Sequence, residues 1–223
     1  MLFDFHTHSL LSDGVLLPIE LIRRAAVLGY TAIAITDHAA PSTMAQVVGA
    51  VAADCSLAER HWDIRCVPGV ELTHLPPEAI PELAREARAR GAALVVVHGE
   101  TPVEPVPPGT NLAAVQCAEV DILAHPGAIT AEQAALAAER GVFLEVSARA
   151  GHCLGNGAVV AAARQAGAAV LVNSDTHAPG DLLTQKFAAL VAAGAGLAGE
   201  ELTAVLCANP QRLLARALER GGR

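Results

Sequence analysis

Residues 3–14 read FDFHTHSLLSDG, an apolar, alternating start that runs straight into His6, His8 and Asp13. Alternation along an extended chain turns the rings of His6 and His8 to the same side. Similar donors recur downstream: His38 in AITDH, Glu71 in PGVE, His98 in VVVHGE, His125 in ILAHP, and Asp175 and His177 in NSDTH. Imidazoles and carboxylates without organised thiolates suit zinc, manganese or iron and do not select among them. Nine donors are too many for one ion. Shared by two or three divalent ions that each take about four to six ligands, with Glu71 as a bridge, they leave positions for water and substrate. A site of that kind is open, and therefore catalytic rather than structural.

Charge indicates what enters. Three divalent ions facing Asp13, Glu71 and Asp175 would retain a surplus of about three positive charges, which an oxyanion and a hydroxide would neutralise. Phosphate meets that demand better than a neutral amide. Arg149, just beyond the strand VFLEVS, either grips phosphate oxygens with its planar fork or braces a loop. His152 and Asn156, in AGHCLGNG, either line the leaving-group side or simply open the next helix. A single histidine after a strand is an ordinary hydrogen-bonded edge residue. The joint pattern is not, because six of the nine histidines fall at strand ends, with His61, His74 and His152 elsewhere.

Positioning these groups requires a repeated frame. LGYTAIAITDH, RGAALVVVHGE, RGVFLEVSAR and AGAAVLVNSDTH share one layout: helical pattern, glycine, buried strand, polar residues. The glycines at 29, 91, 141 and 167 stand where a helix ends in the left-handed conformation. Pro18 opens the first helix, and Thr130 with Gln133 forms a capping box for a later one. Strands that are apolar throughout are covered on both faces. With LFDF, DIRCVPGVE and VDILA the chain has seven short strands separated by helical stretches, which means a parallel sheet, open or closed into a barrel. Every strand delivers a polar group at its C-terminal end, the rim on which α/β barrels build active sites.

The 223 residues carry no linker-like shift in composition, so residues 1–223 read as one domain. A net charge of −8 and 3% aromatic residues argue against extended nucleic-acid contact, leaving a small phosphorylated ligand as the expected partner. Five cysteines without a C-x-x-C pair, no leader-like start and no apolar run of about 20 residues predict reduced thiols and a cytoplasmic address with no membrane contact. Oligomeric state is open at this stage.

In order, HTHSLLSDG, AITDH, GVE, VHGE, AHP and SDTH resemble the motif series of the polymerase and histidinol phosphatase (PHP) family, from residue 3 to residue 177. The resemblance implies a distorted seven-stranded (β/α)7 TIM-like barrel, an α/β fold. It also implies a two- or three-metal site that hydrolyses phosphoesters, here as a histidinol-phosphatase-like phosphomonoesterase using metal-bound hydroxide. By motif, His6, His8, Glu71 and Asp175 would hold one ion, Glu71 with His98 and His125 a second, and Asp13, His38 and His177 a third. Glu71, His177 and Arg149 would then be the catalytic groups, with His177 or a metal-bound water protonating the leaving group. The chain has no attached polymerase module, so proofreading does not fit.

Two rivals share parts of this pattern. Amidohydrolases also open with H-x-H on a barrel strand, and many bridge two metals with a carbamylated lysine. The one lysine here is Lys186, after the seventh strand, while Glu71 holds a central strand. A non-catalytic metal- or nucleotide-binding module would be marked by lost ligands, yet all nine positions are filled.

Overall fold

Helix ends and strand starts follow the glycine grammar closely. The computed structural model describes residues 1–222. Gly141 and Gly167 cap their helices with φ of 69° and 70°, and Gly29 and Gly91 also have positive φ. Only glycine adopts that geometry without steric cost. Thr130 and Gln133 form the expected capping box: the Thr130 hydroxyl accepts from the Gln133 amide at 3.2 Å, and the Gln133 side chain accepts from the Thr130 amide at 3.0 Å.

The strands are β1 (Phe3–Asp4), β2 (Ala32–Ile35), β3 (His38–Ala39), β4 (Arg65–Leu72), β5 (Leu94–His98), β6 (Ile122–Ala124), β7 (Phe143–Ser147) and β8 (Val170–Asn173). All pair in parallel, in the order β1-β2-β4-β5-β6-β7-β8. The dipeptide β3, which was not expected from the sequence, continues the line of β2 beyond Thr36 and Asp37 and sets His38 beside Glu71 of β4. Between β1 and β8, a Thr7–Thr176 bridge draws the sheet into a nearly closed seven-stranded barrel, helped by the Asp175 amide donating to the His6 carbonyl at 3.0 Å.

The helices outside are α1 (Pro18–Val27), α2 (Met44–His61), α3 (Ile80–Ala89), α4 (Thr110–Gln116), α5 (Ala131–Arg140) and α6 (Asn156–Ala166). After β8 come α7 (Gln185–Gly194), α8 (Gly199–Thr203) and α9 (Asn209–Arg220), with a π turn at Ala204–Ala208 before α9.

Two apolar clusters divide the strand residues by alternation. Ile33, Ile35, Val95, Val97, Leu144, Val146, Val170 and Val172 pack with the helices. Ala32, Ala34, Leu94, Val96, Phe143 and Leu171 form the second cluster, inside the barrel, and Leu213 and Ala217 of α9 belong to it. The Asn209 side chain donates to the Val170 carbonyl at 2.8 Å, and Arg220 reaches Asp121 at 2.9 Å. Helix α9 therefore closes the barrel at the N-terminal ends of the strands, so the polar rim lies at the other end.

Loops at the rim are seated by glycines. A Cβ at Gly127, whose φ is +62°, would lie 2.2 Å from the Glu100 carbonyl oxygen. The Thr130→Ala variant should lose about 1 kcal/mol of stability as a lost cap. Gly127→Ala should lose clearly more, through a left-handed backbone and a clash together. Urea unfolding of both variants checks the order; equal or reversed losses would contradict the seating role of Gly127.

Candidate metal centre

The inner register of the barrel strands carries polar groups at its C-terminal end. Along β4 the inward positions lead to Glu71, along β5 to His98, and along β7 to Glu145 and Ser147. His6 and His8 follow β1 as it joins β8 through the Thr7 bridge, and Asp175 and His177 follow β8. His6, His8, Glu71, His98, His125 and Asp175 are all buried, while Asp13, His38 and His177 form the more open edge.

Donor atoms within 4.8 Å of one another define overlapping groups: His6, Glu71 and His125; His6, His8 and Asp175; and His8, Asp13, His38 and His177. These groups bring together the donors expected from the motifs, except His98, which joins His125 in a further group with His152. His98 also meets His74 and Glu104.

Glu71 stands between the groups. Its Oε1 is 3.1 Å from His6 Nε2 and 3.9 Å from His125 Nε2, whereas its Oε2 is 2.7 Å from His38 Nδ1 and 3.7 Å from His8 Nε2. The two oxygens thus face different imidazole pairs, His6 with His125 and His8 with His38, which puts the carboxylate within reach of donors from all three groups. Asp175 lies 3.3 Å from His8 Nε2 and 3.6 Å from His125 Nε2. Asp13 meets His177 at 3.1 Å and His38 at 3.4 Å.

Hydrogen bonding supports cation binding. Among the described buried groups, His8 Nδ1 and His125 Nδ1 have no hydrogen-bond partner, and His6 Nε2, His8 Nε2 and Glu71 Oε1 meet only Glu71, Asp175 and His6, respectively, as close ion pairs. Unpaired ring nitrogens in a buried interior are costly, and these stand beside a tight cluster of imidazoles and carboxylates, so a divalent cation suits them. Burial depresses the pKa of His8 and, with His98 nearby, holds that of His125 well below the usual imidazole range. Against the same burial, Glu145 and Glu71 push His6 up, and Asp13 and Glu71 push His38 up to about 10. Burial would raise the carboxyl pKa of Glu71, but His6 and His38 outweigh it and hold that group well below the carboxylate range. Asp175 is held low in the same way, by His6 and His8 against its burial.

Other expected residues have defined places. Arg149 stands at the rim, with Nη1 donating to the Asp175 carbonyl at 3.2 Å and Nε 3.7 Å from its carboxylate. Asn156 braces β7, accepting from the Ser147 amide and donating to its carbonyl. His177 donates through Nδ1 to the Asp175 carbonyl at 2.9 Å, which leaves Nε2 toward Asp13. Asp37 is consumed by the loop after β1, accepting from the Ser9 amide and the Ser9 and Ser12 hydroxyls.

Four residues at the centre were not singled out as ligands or supports in the sequence. His152 is buried against His125, with ring centroids 4.1 Å apart. His74 and Glu104 meet at 3.1 Å above His98. Glu145 accepts from His6 Nδ1 at 2.8 Å and from the Asn173 side chain at 2.9 Å, fixing the His6 ring with Nε2 inward. A lone acid in the apolar strand FLEVS is the signal that marks Glu145. Non-glycine residues with positive φ also gather here: His74, His125 and Asp175 at 53°, 27° and 54°. Strain of that kind persists where the surrounding structure imposes it, often at functional sites.

Comparison with known proteins agrees with the motif order. A PHP domain family model matches residues 4–102, which include His6, His8, Asp13, His38, Glu71 and His98. The uncharacterized protein MJ1295 of Methanocaldococcus jannaschii is 48% identical over 217 residues, covering 97% of this chain and 100% of the relative. A structure of YwqE from Bacillus subtilis and CpsB from Streptococcus pneumoniae, described as metal-dependent tyrosine phosphatases, superposes with a TM-score of 0.64 at 18% identity, covering 96% of this chain and 94% of the other. Histidinol phosphate phosphatase from Lactococcus lactis, complexed with zinc, L-histidinol and phosphate, superposes with a TM-score of 0.62 at 13% identity, covering 87% and 94%. At those identities the structures speak for the barrel fold alone. Together with the family model and the full-length relative, the ordered donors on the barrel rim mean that the chain belongs to the PHP family.

Proposed function

We propose that this chain is a metal-dependent phosphoesterase, acting on small phosphomonoesters at a centre of two or three divalent ions. The observation that carries the reading is Glu71: a fully buried carboxylate whose two oxygens face separate imidazole sets. His6, His8 and Asp175 would hold one ion with Glu71, His98 and His125 a second, and Asp13, His38 and His177 a third. The family's solved members described above as metal-dependent phosphatases support the activity, and the zinc, L-histidinol and phosphate in one of them support the substrate class.

Divalent cations, when bound, supply Lewis acidity and an activated water. The chain's own residues do the rest. Buried Glu71, His6 and His125 exclude bulk water from the inner face, where electrostatic interactions are strong. Arg149, partly exposed at the rim, presents its guanidinium to phosphoryl oxygens. His177, whose Nδ1–H is held by the Asp175 carbonyl, turns Nε2 toward Asp13 at the open edge, where it would serve as a ligand of the third ion.

An amidohydrolase reading gains nothing from the site, because Lys186 is exposed on α7 while buried Glu71 takes the central place a carbamylated lysine would need. The phosphoesterase reading treats residues 1–223 as one domain, supported by the sheet that runs from β1 to β8 and by α9 returning beneath it. None of the described helices is long and apolar enough to cross a membrane, and a cytoplasmic setting is part of the proposal.

Assays of p-nitrophenyl phosphate, other phosphomonoesters, phosphodiesters and cyclic amides with manganese-, iron- or zinc-loaded protein test the activity. Monoester turnover is expected, and turnover of amides alone would overturn the proposal. Glu71→Ala should abolish turnover and lower metal content by elemental analysis; unchanged metal would contradict the bridge. Arg149→Ala should keep its metal yet lose about 10–100-fold in kcat/KM for phosphomonoesters, the size of a lost charged hydrogen bond. Wild-type kinetics there would leave Arg149 only its loop contacts.

A further inference from the structure

His98 and His125 sit among more donors than the motif series supplies. We propose that His152 and Glu104 are also metal ligands, so that this part of the centre takes its cation with three imidazoles and a carboxylate from a loop. The inference rests on the metal-centre reading above and is independent of phosphoester chemistry.

His152 begins the short 3-10 turn His152–Gly155 after β7 and is 4% exposed. Its ligand atom and those of His98 and His125 lie within 4.8 Å of one another. Both outer rings are oriented through Nδ1. The His98 Nδ1–H donates to the Gly99 carbonyl at 3.1 Å, and His152 Nδ1 pairs with the Thr101 hydroxyl at 2.8 Å. Each ring therefore presents Nε2 to the same space. A neighbour that fixes one nitrogen so the other faces a cation is the usual support of a metal-bound histidine.

Glu104 faces both. Its Oε2 is 3.0 Å from His98 Nε2 and its Oε1 is 3.4 Å from His152 Nε2. With Nδ1–H committed to Gly99, His98 meets Glu104 through Nε2, and a ring nitrogen and a carboxylate oxygen this close call for positive charge shared between them. The carboxylate is carried on TPVEPVPPG, where prolines at 102, 105, 107 and 108 restrict the backbone that holds it over the rim. With Glu71 added, His98, His125, His152 and Glu104 would give the cation three imidazoles and two carboxylates, within the roughly four to six donors a divalent ion takes.

The loops bearing these residues are locked together by contacts only glycine permits. A Cβ on Gly99 would lie 2.2 Å from the Ala124 carbonyl oxygen, one on Gly127 2.2 Å from that of Glu100, and one on Gly155 2.9 Å from Gly127. The Asn111 side chain joins the first two loops, accepting from the Glu100 amide and donating to the Pro126 carbonyl. His98, His125 and His152 are thus set on one rigid unit. Preorganised ligands are what a metal site requires.

The test uses the full chain loaded with zinc, and with cobalt as a spectroscopic stand-in. Metal per chain, affinity by chelator competition and imidazole ligation by X-ray absorption are read for His152→Ala, His152→Gln, Thr101→Val and Glu104→Gln, with circular dichroism as the check on folding. His152→Ala should lose one equivalent of metal or weaken one site at least 100-fold, leaving the others intact. Thr101→Val should weaken that same site about 10–100-fold, and Glu104→Gln should alter the cobalt visible spectrum. Wild-type stoichiometry and affinity in the His152 and Thr101 variants would overturn the proposal, as would a wild-type chain that binds no cation tightly. If His152→Ala does not fold, His152→Gln and Thr101→Val decide. Metal loss as expected in a protein without phosphoesterase activity would sink the function proposed above and leave this assignment standing; active protein with metal binding indifferent to His152 would do the reverse.

Discussion

A carboxylate with no solvent exposure sits among imidazoles, and most of the fold makes sense as the means of keeping it there. An isolated buried charge costs several kcal/mol unless opposite charge or hydrogen bonds compensate it. Glu71 is compensated from several directions at once, by His6, His38 and the Thr73 hydroxyl. Those partners come from the first, third and fourth strand regions of the chain, so the charge is stable only when the barrel is assembled around it. The parallel β3–β4 pairing that places His38 beside Glu71 and the Thr7–Thr176 bridge that brings β1 to β8 are both parts of that assembly.

The opposite end of the barrel provides the contrast. There Asp121 is compensated by arginines instead: Arg88, Arg216 and Arg220 all reach its carboxylate, and Arg212 and Arg216 lie over the Phe143 ring. Guanidinium groups are permanently charged donors and do not ligate cations, so this end is a clamp that fixes α9 under the strands. Imidazoles at one end and guanidiniums at the other divide the molecule into a face for chemistry and a face for stability, as in other α/β barrels.

Much of this was legible in the sequence because period and position are local properties. Continuous apolar runs after glycines marked β2, β5, β7 and β8, and the donors stood at the ends of those runs, where the βα loops converge. The dipeptide β3 was not legible, since two residues carry no period. His152 and Glu104 were missed as ligand candidates for a different reason. Each lies in a loop several residues from its strand, and its direction is set by tertiary contacts, Thr101 for one ring and the proline-rich arch for the carboxylate. Glu145 could have been found, because an acid facing inward on an otherwise apolar strand must have a partner. Its partner, His6, was already among the donors.

Anomalous diffraction from crystals of the full chain grown with manganese or zinc tests the central claim most directly. The account predicts at least two cation peaks inside the rim, one on each side of the Glu71 carboxylate, with His6, His8, Asp175 and the His98–His125 pair turned toward them. Glu71 and these imidazoles bonded only to protein groups, with no cation density among them at saturating metal, would contradict it.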